Sequence, residues 1–515
     1  MDRIALKAGE VVSGDRRVSR EQLFHRAAQA ATGLAGLGIG AGDIVALLMR
    51  NDFPLLEVTI AAPLLGAYAA PVNWHFQPGE VAEVIRDNDA KAVVAHADLL
   101  PLLQGAVPAG VPVLAVETPP EVREAYAISE QAGSLPGGAT DWNGWVAGFA
   151  PHQPPLRHRQ LNQVHTIMFS GGTTGRSKAI RRLPITAEQD NNLFDALTVS
   201  ERSRVLINGP LYHNSPSMTT ISAIRAGAAV VLQPRFDAEG VLADIERYAI
   251  TNVHLVPTMF VRLLKLPQAT RRRYDLSSLE LVTHGAAPCA PEIKRAMIDW
   301  FGPILLEYYG GTETGAITLI DSHQWLAHPG SVGQAVENAR IEIVDDDGKV
   351  LPQGEIGEIF MWNAYQPNFT YHGQDRLRES IERDGLVTCG DVGYLDPDGY
   401  LFLCDRKKDM VISAGVNIFP AEIENVLIGL PGVRDCAVFG IPDEEFGEAL
   451  AAAIQRDPGA TLAAAEVKAY LEKRIAHYKV PRVIEFCAEL PREDSGKIFK
   501  RKLRDPYWEK AGRKI

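Results

Sequence analysis

Between Met168 and Lys178 the chain reads Met-Phe-Ser-Gly-Gly-Thr-Thr-Gly-Arg-Ser-Lys, packing hydroxyls, glycines and a lysine into one short segment after an apolar run. Glycines let backbone N–H groups come close to phosphate oxygens, while hydroxyls and an ammonium add donors and positive charge. No Gly-Lys-Ser/Thr triplet stands at the Walker spacing, so a P-loop of that kind is excluded. A flexible Ser/Gly surface loop has the same composition, and the residues alone leave both readings open. Other groups able to do chemistry are scattered: His213 after Pro210-Leu211-Tyr212, Thr312-Glu313, Gly390-Asp391, and Lys497 after Ser495-Gly496. Taken singly each has a plain structural explanation. An Asp after Gly is commonly a turn residue, and Thr-Glu commonly opens a helix. Lys497 lies near Lys500, Arg501, Lys502 and Arg504, as a solvated lysine of a basic tail would.

Strands and helices alternate around these groups. Ser19 and Gln22 form a capping box, and Leu23, Ala27, Ala31 and Leu34 follow at helical spacing. Ile44 to Met49 reads as a short buried strand, Gly79 to Asp89 as a helix, and Lys91 to Ala95 as the next strand. VLING, AAVVLQ, NVHLVP and LELVTHG repeat the pattern, which predicts parallel sheets covered by helices. Near residue 340 the pattern changes to short strands separated by Asp347-Gly348 and Asp398-Gly399, the mark of a small antiparallel barrel or ribbon. After Asp405 to Asp409 a compact α+β segment begins. The expected fold is therefore α/β, with an N-terminal body over 1–407 and a smaller C-terminal domain over 408–515.

A chain of 515 residues can bury a large core without disulfides or metals. Lys and Arg number 52 against 64 Asp and Glu, a net charge of −12 that repels polyanions, so nucleic acid is not the expected partner. The five cysteines (Cys289, Cys389, Cys404, Cys436 and Cys487) lack CxxC spacing and suit a reducing compartment. The longest apolar run, Thr59 to Val72, is too short to span a bilayer and is broken by Pro63. These features predict a cytoplasmic protein.

The segment from Ser170 to Lys178 resembles the signature of the AMP-forming adenylating enzymes, the family of acyl-CoA synthetases, peptide-synthetase adenylation domains and luciferases. Six further elements stand in that family's order: Pro210 to His213, Gly285-Ala286-Ala287-Pro288, Tyr309-Gly310-Gly311-Thr312-Glu313, Gly390-Asp391, Asp405 to Asp409, and Ser495-Gly496-Lys497. The resemblance runs from about Ser19 to Arg504. It implies that Ser170, Gly171, Gly172, Thr173, Thr174, Gly175 and Lys178 hold the β and γ phosphates of ATP. It places Gly285 to Pro288 and Glu307, Tyr308 and Tyr309 at the adenine, where a tyrosine face can stack. Thr312 is implied at the α phosphate, Glu313 at Mg2+, and Asp391 with Arg406 at the ribose.

By the same resemblance Lys497 bridges the acid's carboxylate and the α phosphate, offsetting the repulsion between two anions. The C-terminal domain is implied to swing about Lys408, with Gly415 lining a tunnel for the arm of coenzyme A. His213 is implied in the catalytic set with Lys497, Thr312 and Glu313, and Tyr212, Asn214, Gly310 and Gly311 at the acyl pocket. Gly171, Ser177 and Ala179 depart from the family's usual residues in the phosphate loop. After His213, Asn214-Ser215-Pro216-Ser217 replaces the glycine-rich stretch of fatty-acid members.

Gly310 and Gly311 stand where acetate-specific relatives carry bulky residues, which implies a larger acid: a steroid or bile-acid side chain, a long chain, or an aromatic acid with Tyr212 and Phe236 forming a flat pocket. The expected reaction is acid, ATP and CoA to acyl-CoA, AMP and pyrophosphate. Two alternatives remain: an adenylation domain that loads a carrier protein, and a silent acyl-ligand sensor. The basic residues near Lys497 are candidates for meeting the phosphates of CoA.

Overall fold

The computed structural model describes residues 3–157, 160–162, 164–170, 178–186, 189, 199–413, 416–492 and 498–511. The chain packs as two compact units. The first comprises Met1–Leu255, Lys265–Thr283 and Ala364–Ile381, and the second Val256–Leu264, His284–Asn363 and Glu382–Ile515. Packing thus groups residues 284–363 and 382–407 with the C-terminal segment.

The first unit is built from parallel strands. One sheet runs in the order Tyr68–Pro71, Ile44–Leu48, Ala90–His96, Val113–Val116 and Thr140–Asp141, parallel throughout. The other contains Asn252–Leu255, Arg204–Ile207, Ala229–Leu232 and Glu10–Ser13 in parallel, with Arg16–Ser19 added antiparallel. The predicted capping box is present: Gln22 N donates to Ser19 Oγ and Ser19 N donates to Gln22 Oε1, opening helix Arg20–Gly36. Helix Phe53–Leu65 is buried along Pro54 to Ala62 and therefore needs apolar side chains nearly all round. Its Val58 and Ile60 share one core with Ala27 and Leu34 of the first helix and with Val45 and Val205 from the two sheets. A third, antiparallel sheet pairs Met168–Ser170 with Lys178–Arg182 and that strand with Phe369–Tyr371.

The second unit is mainly antiparallel. Leu305–Gly311 pairs with Gly315–Asp321 through a tight turn. The barrel-like ribbon expected after residue 340 is a five-stranded sheet whose long strand Leu386–Leu395 pairs with Leu401–Arg406. A last sheet joins Val411–Ser413, Val416–Ile418, Val433–Asp443, Gly447–Arg456 and Val483–Cys487. Helices Pro420–Leu427 and Ala464–Glu472 cover it with Ile423, Leu427, Val467 and Leu471. None of the five cysteines forms a disulfide among the described residues. Among the described residues no helix is long and apolar enough to cross a membrane.

One buried charge anchors the first unit. Asp52 is 1% exposed, caps helix Phe53–Leu65 by accepting from Phe53 N at 2.8 Å, and accepts from Arg16 Nη2 at 2.7 Å. His96 Nδ1 accepts from Arg50 N, so its Nε2 carries the proton and donates to Asp52 Oδ2 at 3.2 Å. Burial alone would raise the Asp52 pKa, but His96 and Arg16 outweigh it and hold the carboxyl below its usual value. Asp52→Ala removes the helix cap and the partner of buried His96 while leaving Arg16 its ion pair with Glu121, and is expected to cost about 2 to 3 kcal/mol in chemical denaturation. Because the folded-state pKa is depressed, the stability Asp52 supplies is complete above the ordinary carboxylate range and is lost as pH falls through the folded value. Asp52→Asn should therefore flatten the acid limb of a melting-temperature profile measured from neutral pH downward.

Candidate active site

In the second unit the hairpin formed by Leu386–Leu395 and Leu401–Arg406 sets Asp391 directly opposite Arg406. Arg406 Nε lies 3.3 Å from Asp391 Oδ1, and Tyr309 donates its hydroxyl to Asp391 Oδ2 at 2.9 Å. Asp391 remains partly exposed at 15%, so the carboxylate is aimed by two protein donors while lone pairs stay available to a diol. Burial, and then the Asp391 charge, push the Tyr309 phenol well above its ordinary pKa and keep it a donor. Burial alone would lower the Arg406 pKa, but Asp391 leads the neighbours that raise it.

The turn bearing Thr312 and Glu313 is shaped by a residue outside the sequence-level reading. Thr314 is fully buried, and its hydroxyl accepts from Gly311 N at 2.9 Å. Its signal is only a third small polar residue after the Thr-Glu pair. Thr312 and Glu313 themselves are half-buried at the tip between the two paired strands. The glycines before them are set by close approach. A Cβ on Gly310 would strike the Gly315 carbonyl oxygen, and one on Gly311 would come within 2.5 Å of Cys389 Sγ. The space implied at these positions for a larger acid is, along their Cβ directions, filled by the unit's own atoms.

Gly285 is the corresponding contact on the adenine side, since a Cβ there would lie 2.7 Å from the Tyr308 ring and 2.6 Å from its carbonyl oxygen. Ala286 follows with φ +66°, a left-handed conformation that costs a residue with a side chain. Ala286 and Pro288 are exposed and Ala287 half-buried, leaving an open loop beside Tyr308. Strand alternation turns Glu307 and Tyr309 inward, where Tyr309 supports Asp391, and Tyr308 outward. Glu307, 4% exposed, is paired with the equally buried Lys294, with His284 Nε2 3.8 Å away. Burial pushes Glu307 up and Lys294 down in pKa, and their mutual attraction opposes both shifts. A lysine at helical spacing among polar neighbours gave no sign of this role in the sequence.

In the first unit Ser170 and Lys178 are register partners on paired antiparallel strands. Lys178 Nζ lies 5.3 Å from the Tyr371 ring centre, within cation–π range. His213 is the N-cap of helix Asn214–Ala226 and makes no side-chain capping bond there. Buried Asn51 fixes the approach to it, donating to the Gly209 carbonyl at 2.9 Å and accepting from Leu211 N at 2.9 Å. Arg182 Nη2 donates to Asn214 Oδ1 at 2.8 Å. Tyr212 is 5% exposed and belongs to the core with Trp74 and Leu99, so little of its ring is accessible.

Gly171, Gly172, Thr173, Thr174, Gly175, Gly415 and Lys497 lie outside the described residues. Lys408 lines a cavity of about 60 Å³ with Asp409, Glu448, Lys500 and Arg504. Lys500 is ion-paired with Glu424 and Arg501 with Asp505. Among the described residues the one group of three metal-ligand side chains is His328, Asp396 and Asp398, which does not include Glu313. A single carboxylate completed by phosphate oxygens and water is nonetheless the donor set Mg2+ accepts, so Glu313 fits the ion.

Comparison with known proteins places the chain in a family. The AMP-binding enzyme family matches residues 1–366, and the AMP-binding enzyme C-terminal domain matches residues 422–497. A feruloyl-CoA synthase of Amycolatopsis is 32% identical over 511 residues, covering 98% of this chain and 96% of the relative. A long-chain-fatty-acid–CoA ligase of Mycobacterium tuberculosis is 30% identical over 506 residues, covering 96% and 94%. The solved structure of o-succinylbenzoate CoA synthetase from Bacillus subtilis, with its acyl-adenylate intermediate, superposes with TM-score 0.81 at 25% identity over 97% of this chain and 96% of that one. The chain therefore belongs to the AMP-binding enzyme family and is an AMP-forming acid–thiol ligase.

Proposed function

We propose that the chain activates a carboxylic acid larger than acetate, of the aryl or long-chain kind, and passes it to coenzyme A. In the first step the acid's carboxylate oxygen attacks the α phosphorus of ATP and the bond to pyrophosphate breaks, giving acyl-AMP. In the second the CoA thiol attacks the acyl carbon, its proton leaves to solvent, and AMP departs. The Asp391 carboxylate, aimed by Tyr309 and Arg406, carries the reading, because a fixed anionic acceptor is what two neighbouring ribose hydroxyls require.

The other roles follow by motif. Ser170 to Gly175 and Lys178 take the β and γ phosphates, Thr312 the α phosphate, and Gly285 to Pro288 with Tyr308 the adenine. Lys497 meets carboxylate and α phosphate together, where positive charge counts most as the transition state forms. Mg2+ held through Glu313 would neutralise charge on the phosphates. His213, Asn214, Gly310 and Gly311 border the acyl group, and residues 408–515 act as a C-terminal domain hinged at Lys408 with Gly415 at the CoA thiol's path. The CoA-ligase names of full-length relatives favour free CoA over a carrier protein, and the aryl and fatty acids in those names favour such acids. Five cysteines outside any disulfide suit a cytoplasmic setting.

Purified protein given ATP, Mg2+ and a panel of acetate, hexadecanoate, cinnamates, benzoates and a bile acid should form acyl-AMP with an aryl or long-chain member. Added CoA should convert it to acyl-CoA, and Lys497→Ala should lower adenylate formation by about 100-fold or more, read by mass spectrometry. Acyl-AMP that never reaches CoA would instead indicate a carrier-protein acceptor, turnover of the bile acid alone would reject the substrate class, and no adenylate from any acid would favour a sensor. Tyr309→Phe removes one donor to Asp391 and should raise the KM for ATP by about tenfold while the protein stays folded.

A further inference from the structure

The loop 285–290 has both of its ends at one carboxylate oxygen. His284, the residue before the loop, brings its Nε2 to 3.8 Å from Glu307 Oε2. Lys294, in the first turn of helix Pro291–Phe301 that follows the loop, pairs its Nζ with that same oxygen. All three side chains are buried, and the ring of buried Trp325 lies against the ammonium with its centre 4.9 Å from Lys294 Nζ.

The same carboxylate also fixes the strand facing the loop, because Glu307 is the chain neighbour of Tyr308. Gly285, next after His284, approaches Tyr308 so closely that a Cβ on it would lie 2.6 Å from the Tyr308 carbonyl oxygen. Ala286 then takes its left-handed conformation at φ +66°, which persists only where the surroundings over-determine the backbone. A contact at each end of the loop supplies that constraint. A buried ion pair adds little net stability, because removing two charges from water offsets most of their attraction. Its geometric effect on the loop is therefore the larger consequence.

We propose that Glu307 and Lys294 are positioning residues of the adenine site, which together hold the loop 285–290 beside Tyr308 in the arrangement that receives a flat purine ring. This rests on the reading of Gly285 to Pro288 and Tyr308 as the adenine wall. Both residues act through the backbone next to them, Glu307 through Tyr308 and Lys294 through the loop. A loop ordered during folding does not have to be ordered again each time a nucleotide enters, and the gain appears as affinity for the ring.

The test is calorimetric binding of AMP and of ribose 5-phosphate, which carries the same sugar and phosphate without the ring. The double variant Lys294→Met, Glu307→Leu removes both charges and strands neither. It is expected to weaken AMP binding by about tenfold and ribose 5-phosphate binding by less than about twofold. Lys294→Arg, which keeps the pairing, should retain AMP affinity within about threefold of wild type. Should the double variant not fold, Glu307→Gln, which keeps the shape and removes the charge, is read on the same two ligands. Unchanged AMP affinity in these variants, or equal losses for both ligands, would overturn the positioning role. Tyr308→Leu separates the two levels of the argument. If it weakens AMP while the pair variants do not, only the positioning role fails, and if it leaves AMP binding at the wild-type value, the adenine assignment fails and the proposal with it.

Discussion

The candidate site of the second unit depends on one partly exposed carboxylate, Asp391, being held and pointed. Water would do this at no structural cost, but a mobile, hydrated aspartate pays an ordering penalty each time it grips a diol. Here the penalty is met during folding. The antiparallel register fixes Asp391 against Arg406, and the inward face of strand Leu305–Gly311 brings the Tyr309 hydroxyl to its other oxygen. Because Tyr309 is itself packed with Ile317, Ile343 and Ile359, the donor cannot wander. Preorganisation of this kind converts hydrogen bonds that are modest in water into selective ones.

Much of this was legible in the residues. Alternating apolar runs announced the parallel sheets, Ser19 and Gln22 announced the first helix, and Asp398-Gly399 announced the hairpin that pairs Asp391 with Arg406. What escaped was side-chain direction. Glu307, Tyr308 and Tyr309 are consecutive and all were expected at the adenine, yet a strand's period of two sends the first and third inward and the second out. Lys294 as the partner of Glu307, and Thr314 as the brace of the turn, depend on contacts between distant or unremarkable residues that no local pattern encodes. Lys500 was indistinguishable from its basic neighbours because a charge run reads as solvated unless its partner, here Glu424, is known to fold beneath it.

The glycines show how one residue type can be chosen for opposite reasons. At Gly310 and Gly311 the absence of a side chain suggested room for a larger acid, whereas their Cβ directions meet the Gly315 backbone and Cys389. Gly285 likewise admits the ring of Tyr308. Close approach of backbone to its own surroundings is thus the first requirement on these glycines.

The most direct test of the central claim is calorimetric binding of AMP and of 2′,3′-dideoxy-AMP to the wild-type protein and to Asp391→Asn. If Asp391 is the preset acceptor for the ribose hydroxyls, the wild-type protein should favour AMP by about 30-fold or more, and the variant should bind both ligands within about threefold of each other. Equal affinity of the wild-type protein for the two nucleotides, or unchanged discrimination in the variant, would contradict the account.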